Sequence, residues 1–187
     1  MRASVFAALA AVVFLVSCST GTGGEEGVPH DQTTVLGTLN LFLDVWNDCD
    51  IDTYKGLLDE DTFTFYFDPS DMGGEHDIPP SWGYTEEITA VTNLFEYVGA
   101  ENIDVELDLE GVTEPEEDVV TYTARDIPYH VRVYVEAEEH IIYLAVGLLD
   151  MELMYADGGW VITDWWDKVP YRLLVAETTW GAIKACF

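Results

Sequence analysis
The chain has 187 residues, 49% of them hydrophobic and 13% aromatic. That is enough apolar material for one domain with a real core, and it argues against a disordered chain. Asp and Glu number 36 against 7 Lys and Arg, a formal net charge of −29; a field of that sign repels phosphates, which argues against nucleic acid as a partner and against electrostatic adsorption to anionic headgroups.

Arg2 precedes an apolar run from Val5 to Val16. The run is too short to span a bilayer comfortably and reads as the core of a signal peptide. It ends in Leu15-Val16-Ser17-Cys18, which resembles the bacterial lipobox of Leu, a small or branched residue, a small residue and Cys. The resemblance implies that residues 1–17 are removed as a lipoprotein signal peptide. It also implies that Cys18 carries the acyl chains, palmitate among them, of a lipid anchor in a bacterial membrane. Ser19 at the next position implies outer-membrane sorting, with the protein facing the periplasm or the surface. More than one chain makes such anchoring durable. Residues 18–32 are polar and Gly-rich, a flexible tether whose reach over about 14 residues is roughly 20 Å.

Thr33 or Thr34 is placed to cap a helix from Val35, whose Val35, Leu39, Phe42 and Trp46 fall at helical spacing. The helix stops around Asn47-Asp48-Cys49, and Asp50 caps a second one with Ile51, Tyr54, Leu57 and Leu58 inward. Thr62 to Asp68 alternates as a half-buried strand with Phe63, Phe65 and Phe67 on one face. Asp68 to Ser81 is a loop by its Pro, Gly and Asp content. A third helix runs from Tyr84 to Val98 with Ile88, Val91, Leu94, Phe95 and Val98 on its apolar face. Alternation then predicts strands over 103–110, 119–124 and 129–136.

The strongest local signal is a hairpin from His140 to Asp167, two apolar runs around Asp157-Gly158-Gly159, because tight hairpin turns demand positive φ. The odd positions of its first strand, from Ile141 to Tyr155, are all apolar or small and predict one core face throughout. Gly147 in mid-strand suggests a bulge or bend. The return strand leaves two options open: Trp160, Ile162, Asp164 and Trp166 inward, or Val161, Thr163 and Trp165 inward.

Helix, helix, strand, helix and then long strands make an α+β domain over 33–187, a curved, mostly antiparallel sheet wrapped on three N-terminal helices, with a C-terminal extension from about residue 168. FLDVWNDCDIDTYKGLLDED, TFTFYFDPSD and GGWVITDWWD resemble segments of the nuclear-transport-factor-2-like, or SnoaL-like, cone fold of cystatin-like architecture. PSWGY and TWGAIKA are similar to segments of bacterial lipoproteins of that class. The resemblance implies a cavity between sheet and helices, in a family that holds isomerases, dehydratases and hydrolases beside non-enzymatic binding and dimerising modules, so fold alone does not choose a function.

Enzymes of that kind place an Asp or His base in an apolar cavity, where burial tunes its pKa. Here the inward faces predicted from alternation carry no Asp, Glu or His. The expected pocket wall is Phe65, Phe67, Trp82, Tyr129, Tyr143, Tyr155 and Trp165, with only phenols to give polarity. If the even face of the return strand is inward, Asp164 is the candidate base. In the loop before Trp82, His76 stands among Asp68, Asp71, Glu75 and Asp77 as a candidate acid or base. The same oxygens could hold Ca²⁺, though without EF-hand spacing, and no zinc spacing or Gly-rich phosphate loop suggests a metal or cofactor.

Cys49 and Cys186 remain for a disulfide in an oxidising compartment. The tail is too apolar to dangle and is expected on the sheet's outer half, over Ile142, Leu144 and Val146, or at a homodimer face. The expectation is therefore a lipid-anchored envelope protein whose cone binds a small apolar ligand or a partner without catalysis. Its alternatives are a proton-transferring enzyme using Asp164 or His76, and a homodimerising module.

Overall fold
Helix α1 (Val35–Asp48) begins where the Thr34 hydroxyl accepts the Gly37 amide and ends where Cys49 turns left-handed at φ 54°. These coordinates come from a computed structural model that describes residues 30–73, 77–135, 141–169 and 179–187. A second cap reaches α1 from the acidic loop over residues 113–118, where the Glu114 carboxylate accepts the Val35 and Leu36 amides at 2.9 and 2.8 Å at the positive end of the helix. Asp50 caps α2 (Ile51–Leu57) through the Thr53 amide. Helix α3 (Tyr84–Val98) opens at Gly83, whose amide donates to Glu86. Gln32 at the end of the expected tether is docked rather than loose: its carbonyl accepts the Trp160 amide at 2.7 Å and its side chain donates to Gly56 and Trp160 carbonyls.

Six strands form one sheet in the order β2-β1-β6-β5-β4-β3: β1 (Thr64–Tyr66), β2 (Ser81–Gly83), β3 (Ile103–Leu107), β4 (Thr121–Val135), β5 (Ile141–Ala156) and β6 (Gly159–Lys168). Only β1 and β6 run parallel; the other neighbours are antiparallel. The hairpin is as expected. Ala156 faces Gly159 across two residues, Asp157 and Gly158, with φ of 50° and 92°, the left-handed pair a type I′ turn needs. Edge strand β3 is tied to α1 by Asn47, which both donates to and accepts from the Val105 backbone.

Several expectations are corrected. The expected loop over 68–81 gives up its last residue to edge strand β2 (Ser81–Gly83), and the two strands expected over 119–136 are the single strand β4. One extra residue between Ala124 and Ile127 lets β4 continue past Asp126, at φ 52°; Asp150 accepts the Asp126 amide there, and Lys168 bridges both carboxylates. Gly147 makes no bulge. It stays in register opposite Tyr129, and it is glycine because a Cβ would lie 2.5 Å from the Tyr129 hydroxyl and 2.7 Å from the Lys168 carbonyl.

The ambiguity of the return strand resolves in favour of both options. Asp164 pairs with Glu152 but Ile162 pairs with Leu153, so Thr163 is an inserted residue and the inward parity switches there. Before it, Trp160 and Ile162 are buried; after it, Trp165 and Asp167 are. The odd face of β5 is buried from Ala145 to Leu153 but not at Tyr155, which is 43% exposed beside the turn.

The tail makes the largest departure. Residues 180–184 form a short helix, α4 (Trp180–Lys184), and it lies on the inner face rather than over the outer half of the sheet. Trp180 is fully buried, with ring centroids at 4.8 Å from Trp46, 4.7 Å from Trp165, 5.6 Å from Phe42 and 5.4 Å from Tyr129. On that face the indole is enclosed on all sides, so its whole apolar surface leaves water, which docking on the solvent-facing side of the sheet would not achieve.

Candidate functional site
Among the described residues, the chemistry gathers in the interior of the cone and in a groove on the opposite face of the sheet. Of the seven residues expected to wall a pocket, Phe65, Phe67, Tyr129 and Trp165 do line the interior, but against α4 rather than against space. Gly181 is the point of closest approach: a Cβ there would meet Phe67 at 2.8 Å and Phe65 at 3.0 Å. Trp82 is half-buried at the edge. Tyr143 is half-buried too, 6.3 Å from Phe187, while Tyr155 lies outside the interior altogether.

The expectation of a wall free of ionisable groups is overturned. Glu87, Asp167 and Lys184 are buried inside. Lys184 donates to both oxygens of Glu87 at 2.8 Å, and the Tyr54 hydroxyl and the Trp82 indole donate to the same carboxylate at 2.6 and 2.7 Å. Burial pulls the Lys184 ammonium down to about 8, against the opposing pull of Glu87 and Asp167. The Tyr54 phenol is pushed well above its ordinary range, by burial first and then by Glu87.

Asp167 makes the second cluster. It accepts the Tyr129 hydroxyl at 2.7 Å and the Gly181 amide at 2.6 Å, and the Tyr129 oxygen accepts the Trp180 amide at 3.3 Å. Burial raises the Asp167 carboxyl, while the Gly181 and Tyr129 hydrogen bonds and the Lys184 charge act to lower it. At the helix start Thr179 caps Ala182 and donates to Asp71. Burial raises the Asp71 carboxyl to about 6, with Asp167 and Asp68 adding to the rise. So the tail meets the interior with the Lys184 ammonium, the Trp180 and Gly181 amides and the Thr179 hydroxyl.

These residues carried signals in the chain. Glu87 falls on the stripe of Val91, Leu94 and Val98, and Asp167 has the parity of Trp165. Lys184 is one turn from Trp180. With the inward face of the return strand left open, that parity did not single out Asp167, and a charge in an apolar stripe is ordinarily solvated.

The expected candidate bases fare differently. Asp164 is on the outer face beside Tyr66, not in the cone. His76, Glu75 and the lipidation residue Cys18 lie outside the described residues. Among the described residues no group of three His, Cys, Asp or Glu is arranged to hold a metal ion. Cys49 and Cys186 are free thiols, so the expected disulfide is not formed; the Cys186 thiol, just past the end of α4, instead donates to the Ala182 carbonyl.

The outer face carries a groove of about 670 Å³. Tyr66 and Trp166 stack there with ring planes 4° apart and centroids at 5.1 Å. Pro69 and Met72 extend that apolar wall, and Arg125 and Lys168 face it with Asp150 and Glu152.

No family model matches the sequence, and no curated protein matches it either. Solved structures do match. The Kfla4162 protein from Kribbella flavida is similar at 18% identity, covering 81% of this chain and 94% of its own, with a TM-score of 0.55. A protein with a cystatin-like fold from Caulobacter vibrioides is 9% identical over 73% of this chain and 87% of its own, TM-score 0.52. An NTF2-like protein of unknown function from Pseudomonas putida KT2440 is 9% identical over 75% and 87%, TM-score 0.51. The domain thus has the nuclear-transport-factor-2-like, cystatin-like cone fold. At such identities the likeness shows the fold alone.

Proposed function
We propose that the protein is a lipid-anchored lipoprotein of the bacterial envelope, probing its surroundings through a non-catalytic cone domain. With α4 seated in the cone, the ligand is a small, partly apolar molecule that lies in the outer groove. The observation that carries this reading is the filled interior: α4 occupies it, and the buried carboxylates Glu87 and Asp167 are satisfied by Lys184 and the Gly181 amide. The groove is within the ~300–1,000 Å³ of small-molecule sites and combines a flat aromatic wall with a few charged groups. The anchor rests on Leu15-Val16-Ser17-Cys18 and the polar segment after it. No described helix is long and apolar enough to cross a membrane.

The test is native mass spectrometry of the protein purified from bacterial cells, with Trp166→Ala beside it, and fractionation of cells making Cys18→Ala. A bound small molecule lost in Trp166→Ala, and a Cys18→Ala chain leaving the membrane fraction, are expected. A ligand retained by Trp166→Ala would move the site elsewhere, and a membrane-bound Cys18→Ala chain would remove the anchor.

One observation favours a second reading, a proton-transferring enzyme of the SnoaL-like class. Asp167 is a buried carboxyl raised above its ordinary range and hydrogen-bonded to Tyr129, as a base in an apolar cavity would be. That reading requires Trp180 to leave, and it predicts that a chain ending before residue 170 gains a ligand pocket which Asp167→Asn abolishes.

A further inference from the structure
The Lys184 ammonium sits in a compartment whose walls belong wholly to other elements. Its Nζ is 3.4 Å from the ring centroid of Phe65 on β1, 4.0 Å from that of Trp165 on β6 and 5.6 Å from that of Trp82 on β2. Both oxygens of Glu87 on α3 are 2.8 Å away, and neither charged side chain is exposed at all. The carboxylate is oriented without the lysine, since Tyr54 holds Oε1 and Trp82 holds Oε2. Aromatic faces around a desolvated cation, beside a fixed carboxylate, form the arrangement by which proteins recognise ammonium groups. A hydrocarbon side chain would fill the same space without desolvating a charge. Helix α4 thus supplies the occupant and no part of the cage.

From this geometry we infer that the inner compartment of the cone is a binding site for a primary alkylammonium ligand, with Lys184 as its built-in occupant, displaced together with α4 when an external amine binds. Its length suits α4 to displacement: it spans five residues, too few to be helical apart from the domain. The inference goes beyond the groove reading, because no cage residue lines the groove.

The experiment titrates n-propylammonium into the full chain, followed by calorimetry and tryptophan fluorescence, for the wild type, Lys184→Ala, Lys184→Met, and Lys184→Ala combined with Glu87→Gln. Lys184→Ala removes the internal competitor and is expected to bind at least about tenfold tighter than the wild type, with Glu87→Gln reversing the gain. Lys184→Met keeps an uncharged chain in the stem of the site and is expected to bind tighter than the wild type as well, so it decides the matter if Lys184→Ala does not fold. In the wild type at saturation, the α4 amides are expected to exchange faster with solvent. Equal binding by the wild type and whichever Lys184 variant folds would overturn the inference, as would indifference to Glu87→Gln, an equal response to neutral 1-butanol, or unchanged α4 exchange. Trp166→Ala is expected to leave the titrations unaltered while abolishing any groove ligand, which keeps the two sites apart.

Discussion

Lys184 and Glu87, ninety-seven positions apart, meet as a fully buried pair with both carboxylate oxygens 2.8 Å from one ammonium. Taking two charges out of water is costly, and the geometry offsets that cost only while both partners stay. Removing Lys184 alone leaves a carboxylate in a dry site, so Lys184→Met is expected to lose roughly 3–5 kcal/mol in urea unfolding. Adding Glu87→Gln removes the stranded charge while keeping an acceptor for Tyr54 or Trp82. The double variant is expected to be more stable than Lys184→Met alone, a coupling visible in a double-mutant cycle. Additive losses would mean that the pair contributes nothing as a pair.

Glycine positions make a graded series. Gly181→Ala places a methyl group against the Phe65 and Phe67 rings and Gly147→Ala places one against Tyr129 and the Lys168 carbonyl. Rings can shift and a backbone carbonyl cannot do so cheaply. Gly181→Ala is expected to cost about 1–3 kcal/mol, and Gly147→Ala more. Gly56 in α2 has nothing within 4 Å, so Gly56→Ala is expected to stabilise by about 0.5–1 kcal/mol through helix propensity. Thermal unfolding of the three variants measures the order.

Acidification is expected to tighten the seat of α4. Asp71, raised to about 6 by burial, accepts the Thr179 hydroxyl at the start of that helix. Between its unfolded value of 3.8 and its folded value of about 6 the native state binds the extra proton. The stabilisation from this group is therefore complete below about pH 4 and is lost as pH rises through 6. It amounts to at most about 3 kcal/mol, less for the water that reaches one side of the group. Asp71→Asn is expected to be more stable than the wild type at pH 7.5, and the difference should shrink toward pH 4. A difference constant across that window would discount the group.

The thiols are expected to react in turn. Burial pushes Cys49 up to about 11; it also raises the Cys186 thiol, but Cys186 is exposed where Cys49 is half-buried. Alkylation at pH 8 of a Cys18→Ala chain should therefore modify Cys186 well before Cys49, because the thiolate is the nucleophile. Loss of both thiols in the untreated protein would instead indicate the disulfide.

Short-range physics was legible in the chain itself. Thr34 and Asp50 as caps, Cys49 as the stop of α1, the Asp157-Gly158 turn and the apolar faces of α1, α3 and β3 all follow from neighbours within a few residues. The class of fold followed from the order of those elements. What lies inside the cone was decided by tertiary structure. One inserted residue, Thr163, reversed the parity of β6, sending Asp167 inward and Asp164 out. The tail's amphipathic turn had two apolar surfaces open to it, and only the assembled aromatic wall of Phe42, Trp46 and Trp165 made the interior the drier one. Lys184 gave no sign of burial in the chain because its partner is on α3, and a charge enters an apolar interior only where a distant counter-charge is already held.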